Sequence, residues 1–470
     1  MDKVWDLCRF DTRTAATDDS GRSITYRQLN DEAQALSETI GKRCLVFSLC
    51  RNEIGSLLGY VAFLNNKIVT AQFSSNLDRT LLNDLMDIYK PSYLWAPVDV
   101  KDKSDMVSVY DSHEYCLLST GYATGYELYD ELALLITTSG STGSPKLVRQ
   151  SYVNIKSNMV SIAEYLGIDE NERPITTLPM NYVYGLSIIN SHLLKGATLL
   201  LTDKGIMQKE FWSFFTEAKA TSFGGVPYTY EMLDKLRFYR MSLPDLKTMT
   251  QAGGKITPEL QEKFARYAEE TGKNFVVMYG ASEATSRMGY LPPEKALEKK
   301  GSMGIPIPGG KFTIIDDSGA EIKEAFTTGE LVYEGDNVTL GYAECGDDLS
   351  RGDERNGRLE TGDMAQYDED GYYYIVGRKK RFLKVFGNRV NLDELDRMIK
   401  GSFSIEVASS GIDDHIFIFV TEEAIVDELK RFVAEKTKIN PSAFKVIVIE
   451  EIPKNDSGKV LYKELAKFYE

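Results

Sequence analysis

The hydrophobic residues of this chain follow two repeats, one typical of helices and one typical of buried strands. Residues 24–40 (ITYRQLNDEAQALSETI) place their apolar side chains on one face of a helix, and residues 44–49 (CLVFSL) form a continuous apolar run. The same alternation predicts further strands at 131–139, 197–203 and 274–280, and further helices at 152–166 and 208–218. Buried strands alternating with helices indicate an α/β architecture with largely parallel sheets.

The pattern changes after about Gly304. Short apolar runs separated by Gly and Asp turns predict a compact β-rich region, with strands at 311–317, 329–335 and 371–377. A basic run, GRKKRFLK, follows at 377–384. The remaining segments predict helices at 392–400 and 426–437 and strands at 415–420 and 444–450. We therefore place a domain boundary near Lys380, which separates residues 1–379 from a small α+β unit at 380–470.

Composition and charge narrow the class of protein. The 470 residues are 43% hydrophobic, which is ample for a large core, and the formal net charge is −15. That charge disfavours non-specific binding to nucleic acid or to an anionic membrane. The N-terminus has no signal-peptide pattern, no apolar run reaches membrane-spanning length, and the five cysteines form no metal-binding spacing. These observations favour a cytoplasmic enzyme without a structural metal.

The most informative segment is residues 134–146, LLITTSGSTGSPK, where an apolar strand runs into a Thr, Ser and Gly stretch. Gly140 and Gly143 permit backbone conformations in which successive N–H groups form an anion-binding nest. Lys146 adds positive charge, and the hydroxyl donors are Thr138, Ser139, Ser141 and Thr142. This pattern suits a polyphosphate. It is not a Walker A loop, because Pro145 stands where that motif requires Gly. A flexible surface linker is the alternative.

The segment TSGSTGSPK resembles the phosphate loop of the AMP-forming adenylating enzymes, the superfamily that includes acyl-CoA synthetases, peptide-synthetase adenylation domains and firefly luciferase. A second segment, NFVVMYGASEAT at 274–285, resembles the YGxTE motif of that family, with Ser282 in place of Thr. The resemblance implies that Tyr279 and Gly280 lie near adenine and that Glu283 helps to hold Mg²⁺. A flat aromatic ring and a carboxylate oxygen suit these roles. Upstream, Gly253 and Gly254 match the segment on the other side of the adenine.

Two further motifs follow in family order. The segment ETGD supplies Asp363, which the resemblance places on the ribose hydroxyls, with Arg378 supporting the same sugar or phosphate. Lys380 matches the hinge, and Lys384 matches a position that faces the site in the thioester-forming arrangement. The C-terminal segment PKNDSGKVLY makes Lys459 the mobile catalytic lysine. For Lys379 and Arg381 we prefer the interpretation of a solvated linker.

The resemblance also implies an architecture. It predicts an α/β fold with a large N-terminal domain of two parallel-rich α/β subdomains plus a β-rich subdomain. A small mobile α+β C-terminal domain completes the fold.

The acid pocket is expected in residues 178–197 and around Gly225. In relatives that activate amino acids an Asp pairs with the substrate ammonium, and the matching position here is Val183. An amino acid is therefore disfavoured, because its charge would be unpaired. Tyr182 and Tyr184 are expected to line the pocket, although ordinary core positions are the alternative.

The implied reaction uses ATP and Mg²⁺ to convert a small carboxylic acid to an acyl-adenylate, with release of pyrophosphate. Acyl transfer to a thiol follows, either coenzyme A or the phosphopantetheine of a free-standing acyl carrier protein. Three alternatives remain open: a nucleotide-binding regulatory protein with this fold and no turnover, activation of an amino acid such as D-alanine for a carrier protein, and a luciferase-like oxygenase.

Overall fold

The computed structural model describes residues 3–101, 106–122, 125–137, 146–386, 388–412, 414–437, 439–454 and 460–469. The side chains of residues 101, 384, 388 and 389 are outside this description. The chain divides into two compact units. The first unit comprises Met1–Lys311 and Tyr333–Leu359, and the second unit comprises Phe312–Val332 and Glu360–Glu470.

One sheet of the first unit contains eight strands among the described residues. Its four central strands are parallel and its outer pairs are antiparallel. In spatial order the strands are Gly341–Ala343, Leu147–Ser151, Leu132–Thr137, Val69–Ser74, Leu45–Cys50, Tyr93–Pro97, Tyr115–Ser119 and Val107–Ser112. The order brings Gly341–Ala343 beside Leu147–Ser151, although almost two hundred residues separate them in sequence.

The other large sheet of the first unit has nine strands in the part of the chain that is described. Six of its strands are parallel, and antiparallel pairing adds two strands at one edge and one strand at the other. The strand order is Ile305–Pro306, Gly289–Tyr290, Asn274–Tyr279, Thr248–Gln251, Ser222–Gly225, Pro174–Ile175, Leu199–Leu201, Thr14–Asp18 and Ser23–Thr25. Because parallel strands end at the same edge, Gly225, Gln251 and Tyr279 all finish on one side of this sheet.

Helices cover both sheets of the first unit. The α-helices are Tyr26–Ile40, Ile54–Asn65, Arg79–Tyr89, Val98–Lys101, Tyr152–Tyr165, Val183–Lys195, Lys209–Glu217, Pro227–Lys235 and Pro258–Thr271. The helix Ile54–Asn65 is apolar on all sides and is buried from Ile54 to Leu64, as a helix inside a core must be. Its side chains join the largest hydrophobic cluster of the unit.

The first helix begins two residues later than its apolar pattern predicts. Ser23–Thr25 forms a short strand, and the helix starts at Tyr26. Thr25 accepts a hydrogen bond from the Gln28 backbone N–H, and the Gln28 side chain accepts one from the Thr25 backbone. This reciprocal capping box fixes the helix start, and the amphipathic pattern alone does not locate it.

The second unit is smaller. It includes most of a four-stranded sheet, in the order Lys311–Ile315, Gly329–Glu334, Arg358–Tyr367 and Tyr373–Arg378. It also contains a hairpin, Phe382–Val385 with Asn388–Asn391, and a sheet of Val407–Ile412, His415–Val420 and Phe444–Val448. The α-helices here are Leu392–Phe403, Val426–Thr437 and Tyr462–Leu465. A separate cluster around Ile399, Ile418 and Val433 forms the core.

Candidate active site

Part of the predicted site lies outside the described residues. This applies to the phosphate-loop residues Thr138, Ser139, Gly140, Ser141, Thr142 and Gly143 and to the predicted catalytic residue Lys459. The side chain of Lys384 is also outside them. The strands on either side of the loop, Leu132–Thr137 and Leu147–Ser151, are antiparallel neighbours, with Thr137 opposite Leu147. The residues on either side of the loop are therefore held next to each other, at the ends of two neighbouring strands of the eight-stranded sheet.

Glu283 stands on a short 3₁₀ turn that directly follows the strand Asn274–Tyr279. The turn is possible because residue 280 is glycine: a Cβ there would lie 1.6 Å from the Ser286 carbonyl oxygen. The chain then folds back, and the Met288 N–H donates to the Tyr279 carbonyl. Gly280 therefore fixes where the Glu283 carboxylate emerges, which is a steric role independent of any nucleotide contact.

Tyr342 holds the Glu283 carboxylate. Its hydroxyl donates to Glu283 Oε1 at 2.6 Å. Burial, followed by the adjacent Glu283 charge, raises the pKa of Tyr342 to about 12, so the phenol stays a hydrogen-bond donor at neutral pH. Among the described residues no donor contacts the second oxygen of Glu283. That oxygen suits Mg²⁺, which usually takes one or two protein carboxylates together with phosphates.

Two cations flank the Tyr342 ring. Lys146 Nζ lies 3.9 Å from the ring centroid and Arg355 Cζ lies 4.6 Å from it. Arg355 also donates to the Glu283 backbone carbonyl, at 3.3 Å. Strand pairing explains this arrangement, because Tyr342 lies opposite Val148 and next to the strand that Lys146 precedes. The structure thus brings the predicted residues Lys146 and Glu283 to one tyrosine that sequence analysis did not single out.

The residue that ends the Glu283 turn has an unusual backbone. Thr285 is β-branched, yet its φ is +63°, a region that such residues rarely occupy. Its hydroxyl donates to the Asn337 carbonyl at 2.7 Å, and the Asn337 amide donates back to the Ala284 carbonyl at 2.9 Å. These bonds hold a conformation that would otherwise be disfavoured, and such local strain is common at functional sites.

The predicted adenine segment and the predicted acid pocket meet at Gly253. Its φ is +80°, and a Cβ there would lie 2.7 Å from the Tyr182 hydroxyl oxygen. At Gly254 a Cβ would lie 3.1 Å from Pro227 Cγ, and at Gly225 it would lie 2.9 Å from Thr229 Cγ2. The glycines therefore permit close packing around Tyr182, and their predicted ligand contacts stay a prediction.

The acid-pocket residues point in different directions. Tyr184 is buried, and its hydroxyl contacts the Thr250 carbonyl at 2.8 Å. Arg287 lies over the face of the Tyr184 ring, with its Cζ 3.8 Å from the centroid. Val183 belongs instead to the large hydrophobic cluster of the first unit. Ser282, next to Glu283, is also buried. Because Tyr184 is buried, its position is compatible with both interpretations: a residue of the hydrophobic core and a residue of the pocket wall.

In the second unit the two residues predicted at the ribose are paired. The strands Arg358–Tyr367 and Tyr373–Arg378 are antiparallel, with Asp363 directly opposite Arg378. Arg378 Nε lies 2.6 Å from Asp363 Oδ1. Asp363 is buried whereas the Arg378 side chain is mostly exposed. The register thus fixes the carboxylate at the sheet surface with a cation beside it.

The interpretation of Arg381 as part of a solvated linker is wrong. Arg381 is 8% exposed and makes ion pairs with Asp393 at 2.5 Å and Asp396 at 2.6 Å. Its guanidinium also lies 4.0 Å from the Tyr462 ring centroid. The basic run suggested a solvated linker because the acidic partners of Arg381 are not next to it in sequence. They lie 12 and 15 residues further along, on the helix that starts at Leu392.

The neighbours of Arg381 differ from it. Lys379 pairs with Glu330 at 2.5 Å, with about half of its side chain exposed, so that it is only partly solvated. Lys380 is exposed on the 3₁₀ turn Lys379–Arg381. Its hinge role and the domain boundary there stay predictions.

Comparison with known proteins adds independent findings. The family model described as "AMP-binding enzyme" matches residues 6–343. The chain is 27% identical to a 2-succinylbenzoate–CoA ligase of Geobacillus, over 72% of this chain and 70% of that protein. It is 28% identical to an oxalate–CoA ligase of Arabidopsis thaliana, over 72% and 68% of the respective lengths. A 2-succinylbenzoate–CoA ligase of Oceanobacillus iheyensis is 26% identical over 96% of this chain and 95% of its own.

Solved structures show the same fold. An o-succinylbenzoate coenzyme A synthetase from Bacillus subtilis, in complex with AMP, superposes with a TM-score of 0.80 at 22% identity, covering 99% of this chain and 98% of that chain. MatB from Rhodopseudomonas palustris, bound to ATP, gives 0.78 at 19% identity, covering 100% and 99%. The predicted mixed α/β fold is confirmed. In the described ranges, no helix combines the length and apolarity that a membrane span needs.

Proposed function

Because the chain belongs to the AMP-binding enzyme family, we propose that it activates a small carboxylic acid with MgATP and transfers the acyl group to coenzyme A. The family resemblance and the class of ATP-dependent, AMP-forming acid–thiol ligase were predicted from the sequence, and the family match and the relatives confirm them. ATP, Mg²⁺ and coenzyme A are likewise supported as cofactors. Coenzyme A as the acceptor is proposed over a carrier protein because the relatives are named CoA ligases. A cytoplasmic location is part of the proposal.

The observation that carries the proposal is the arrangement around Tyr342. Tyr342 contacts the Glu283 carboxylate through its hydroxyl and the Lys146 ammonium through its ring, and the second Glu283 oxygen has no donor among the described residues. A carboxylate for a hard cation and a lysine for phosphate oxygens are the groups that activation of a triphosphate requires. Bound Mg²⁺ would neutralise phosphate charge there, and Glu283 is the described residue that fits it.

The other predicted residues are assigned to orienting the substrates and to stabilising the reacting charge. Asp363 accepts hydrogen bonds from the ribose hydroxyls, and Arg378 holds that carboxylate in place. The adenine is assigned to the segments of Gly253 and Gly280, where the structure itself leaves no room for a Cβ. Lys459 stabilises the charge that develops as the acid's carboxylate attacks the α-phosphorus. The acyl-adenylate then reacts with the thiol, and water must be kept from this anhydride.

Pyrophosphate–ATP exchange tests the first step. The acid panel includes dicarboxylic and monocarboxylic acids, since the acids named for two relatives, 2-succinylbenzoate and oxalate, both carry two carboxylates. Lys459→Ala is expected to lower exchange by ~100-fold or more, as loss of a transition-state contact does. Lys454→Ala is the matched control, because Lys454 is an exposed lysine paired with Glu406. Undiminished exchange in Lys459→Ala contradicts the assignment.

Consumption of the coenzyme A thiol tests the second step. Acyl-adenylate formation without loss of free thiol favours a carrier-protein acceptor. ATP binding without exchange for any acid favours the regulatory protein, and exchange with D-alanine alone favours amino-acid activation. Light emission or oxygen uptake favours the oxygenase.

A further inference from the structure

Arg287 is a buried cation without an acidic partner in the described part of the chain. It is 3% exposed, its guanidinium lies 3.8 Å from the Tyr184 ring centroid, and Nη1 approaches the Ser286 hydroxyl at 3.1 Å. The guanidinium also interacts with the Tyr165 hydroxyl, so that its described contacts are neutral groups. Its Nε is buried and has no hydrogen-bond partner among the described residues. Buried charges are normally paired and hydrogen-bonded, because removing them from water is costly. The described neighbours of Arg287 therefore do not explain why a charged side chain is buried at this position.

A cavity of about 30 Å³ adjoins Arg287. One water needs roughly 10–15 Å³, so the space suits about two waters, or the two oxygens of a carboxylate. Ser222 lines the same cavity, and its buried hydroxyl also lacks a partner among the described residues. Two unpartnered polar groups that can donate hydrogen bonds therefore border one small space.

The other titratable groups of the cavity leave Arg287 as its uncompensated charge. Burial lowers the pKa of His192 to about 4, so its imidazole is neutral at physiological pH. Glu172 also lines the cavity, but its oxygens already contact Lys247 Nζ at 3.2 Å and the Thr221 hydroxyl. The electrostatics of this space therefore favour an anion.

The cavity lies beside the helix Val183–Lys195, which is part of the predicted acid pocket. Its wall includes Ser187 and Ser191, which lie three and seven residues after Tyr184 and so share its face of the helix Val183–Lys195. At Gly224 a Cβ would lie 2.9 Å from the Tyr184 hydroxyl oxygen. An acid bound beside Tyr182 and Tyr184 would thus have the cavity next to it along this helix, with Arg287 over the Tyr184 ring and in the cavity wall.

We propose that Arg287 binds a second carboxylate of the substrate, so that the enzyme selects dicarboxylic acids. The inference rests on the proposed function and names the substrate class of that site. One carboxylate is activated at the nucleotide, and the other ends at Arg287 with the Ser222 hydroxyl beside it. The desolvation of Arg287 in the free protein is then offset when the substrate binds, and monocarboxylic acids leave that charge unpaired.

Paired acids with the same skeleton test the proposal by pyrophosphate–ATP exchange: succinate with butyrate, glutarate with pentanoate, and phthalate with benzoate. The wild-type enzyme is expected to prefer the dicarboxylic acid of at least one pair by roughly 10- to 100-fold in kcat/KM, the range of a charge-assisted hydrogen bond. Arg287→Gln is expected to remove that preference, because it lowers kcat/KM for the dicarboxylic acid at least tenfold more than for the monocarboxylic acid of the same pair. Arg287→Lys is expected to restore part of it, because Lys keeps the charge without the planar fork.

A purely structural Arg287 gives a different result. Equal losses for both acids of a pair in Arg287→Gln overturn the proposal, as does a wild-type enzyme that uses butyrate, pentanoate and benzoate as well as their partners. If Arg287→Gln does not fold, the wild-type preference and Arg287→Lys decide the question.

Failure of the proposed function is distinguishable from failure of this inference. Absence of exchange with every acid rejects the proposed function. The melting temperature of the wild-type protein and of Arg287→Lys, measured with each acid, then decides the inference. A rise with the dicarboxylic acid alone that weakens in the variant supports it, and no difference within the pairs overturns it.

Discussion

Each of the two units buries an arginine, and the partners of these two arginines differ. In the second unit, Arg381 makes ion pairs with Asp393 and Asp396. In the first unit, Arg287 contacts an aromatic ring and two hydroxyls but no carboxylate among the described residues. Burial is nearly the same, 8% and 3% exposed, so the difference lies in the partners and not in the environment.

The comparison separates two uses of a buried charge. The partners of Arg381 all belong to its own unit, so its charge is compensated as soon as that unit folds. Arg149 shows that the first unit can do the same, because its fully buried guanidinium contacts Glu354 at 2.5 Å. Of these three buried arginines, only Arg287 lacks a carboxylate partner among the described residues. This is expected if a ligand supplies the anion at that position.

The largest expected effect is on the paired arginine. Arg381→Met should lower the free energy of unfolding by about 3–5 kcal/mol at pH 7, because it leaves two aspartates without their cation. Urea titration measures the loss. Arg431→Met is the control, since Arg431 is exposed on the helix Val426–Thr437. A loss below ~1 kcal/mol would mean that the ion pairs do not stabilise the second unit.

Asp396 gives the same cluster a pH dependence. Burial raises the pKa of Asp396 from an ordinary 3.8 to about 6, against the attraction of Arg381. The folded protein thus binds this proton more tightly than the unfolded chain. Its contribution to stability is complete below about pH 3.8 and is lost as pH rises through about 6, a change of ~2–3 kcal/mol.

Asp396→Asn should remove that change. Subtracting the variant's unfolding free energy from that of the wild type, at pH values from 4 to 7, isolates the contribution of this group. A difference that is flat with pH would show that the Asp396 carboxyl titrates at its ordinary value.

Arg149 tests whether pairing has the same importance in the first unit. Arg149→Met should cost about 2 kcal/mol, less than the loss at Arg381, because Glu354 is 46% exposed and water can hydrate it afterwards. Thermal unfolding monitored by circular dichroism measures the change. A loss equal to that of Arg381→Met would show that the exposure of the partner does not matter.

The smallest effect is expected at Arg287, which has no carboxylate partner in the described part of the chain. Arg287→Met should change the free energy of unfolding by less than about 1 kcal/mol, since no carboxylate is left uncompensated and Met fills a similar volume. The same urea titration applies, with Arg149→Met as the paired counterpart. A loss of ~3 kcal/mol would place Arg287 with the structural arginines and remove the contrast between the two units.

Much of the fold was predictable from local pattern. The strand Asn274–Tyr279, the helix Val426–Thr437 and the strand His415–Val420 lie where apolar periodicity places them. Short-range patterns work here because helix and strand periods depend on neighbouring residues. The start of the first helix was misplaced because a side-chain cap decides it, and Arg381 was misassigned because its partners lie on the following helix.

The sequence by itself determined the family and the order of the motifs, because each motif is formed by residues next to one another, and it predicted the roles of Glu283 and Asp363. Tertiary structure alone decided that Tyr342 holds Glu283 and that Arg378 pairs with Asp363. It also decided which buried arginine has carboxylates around it. These contacts join strands, turns and helices distant in sequence, and their geometry depends on sheet register and packing, which no local pattern specifies.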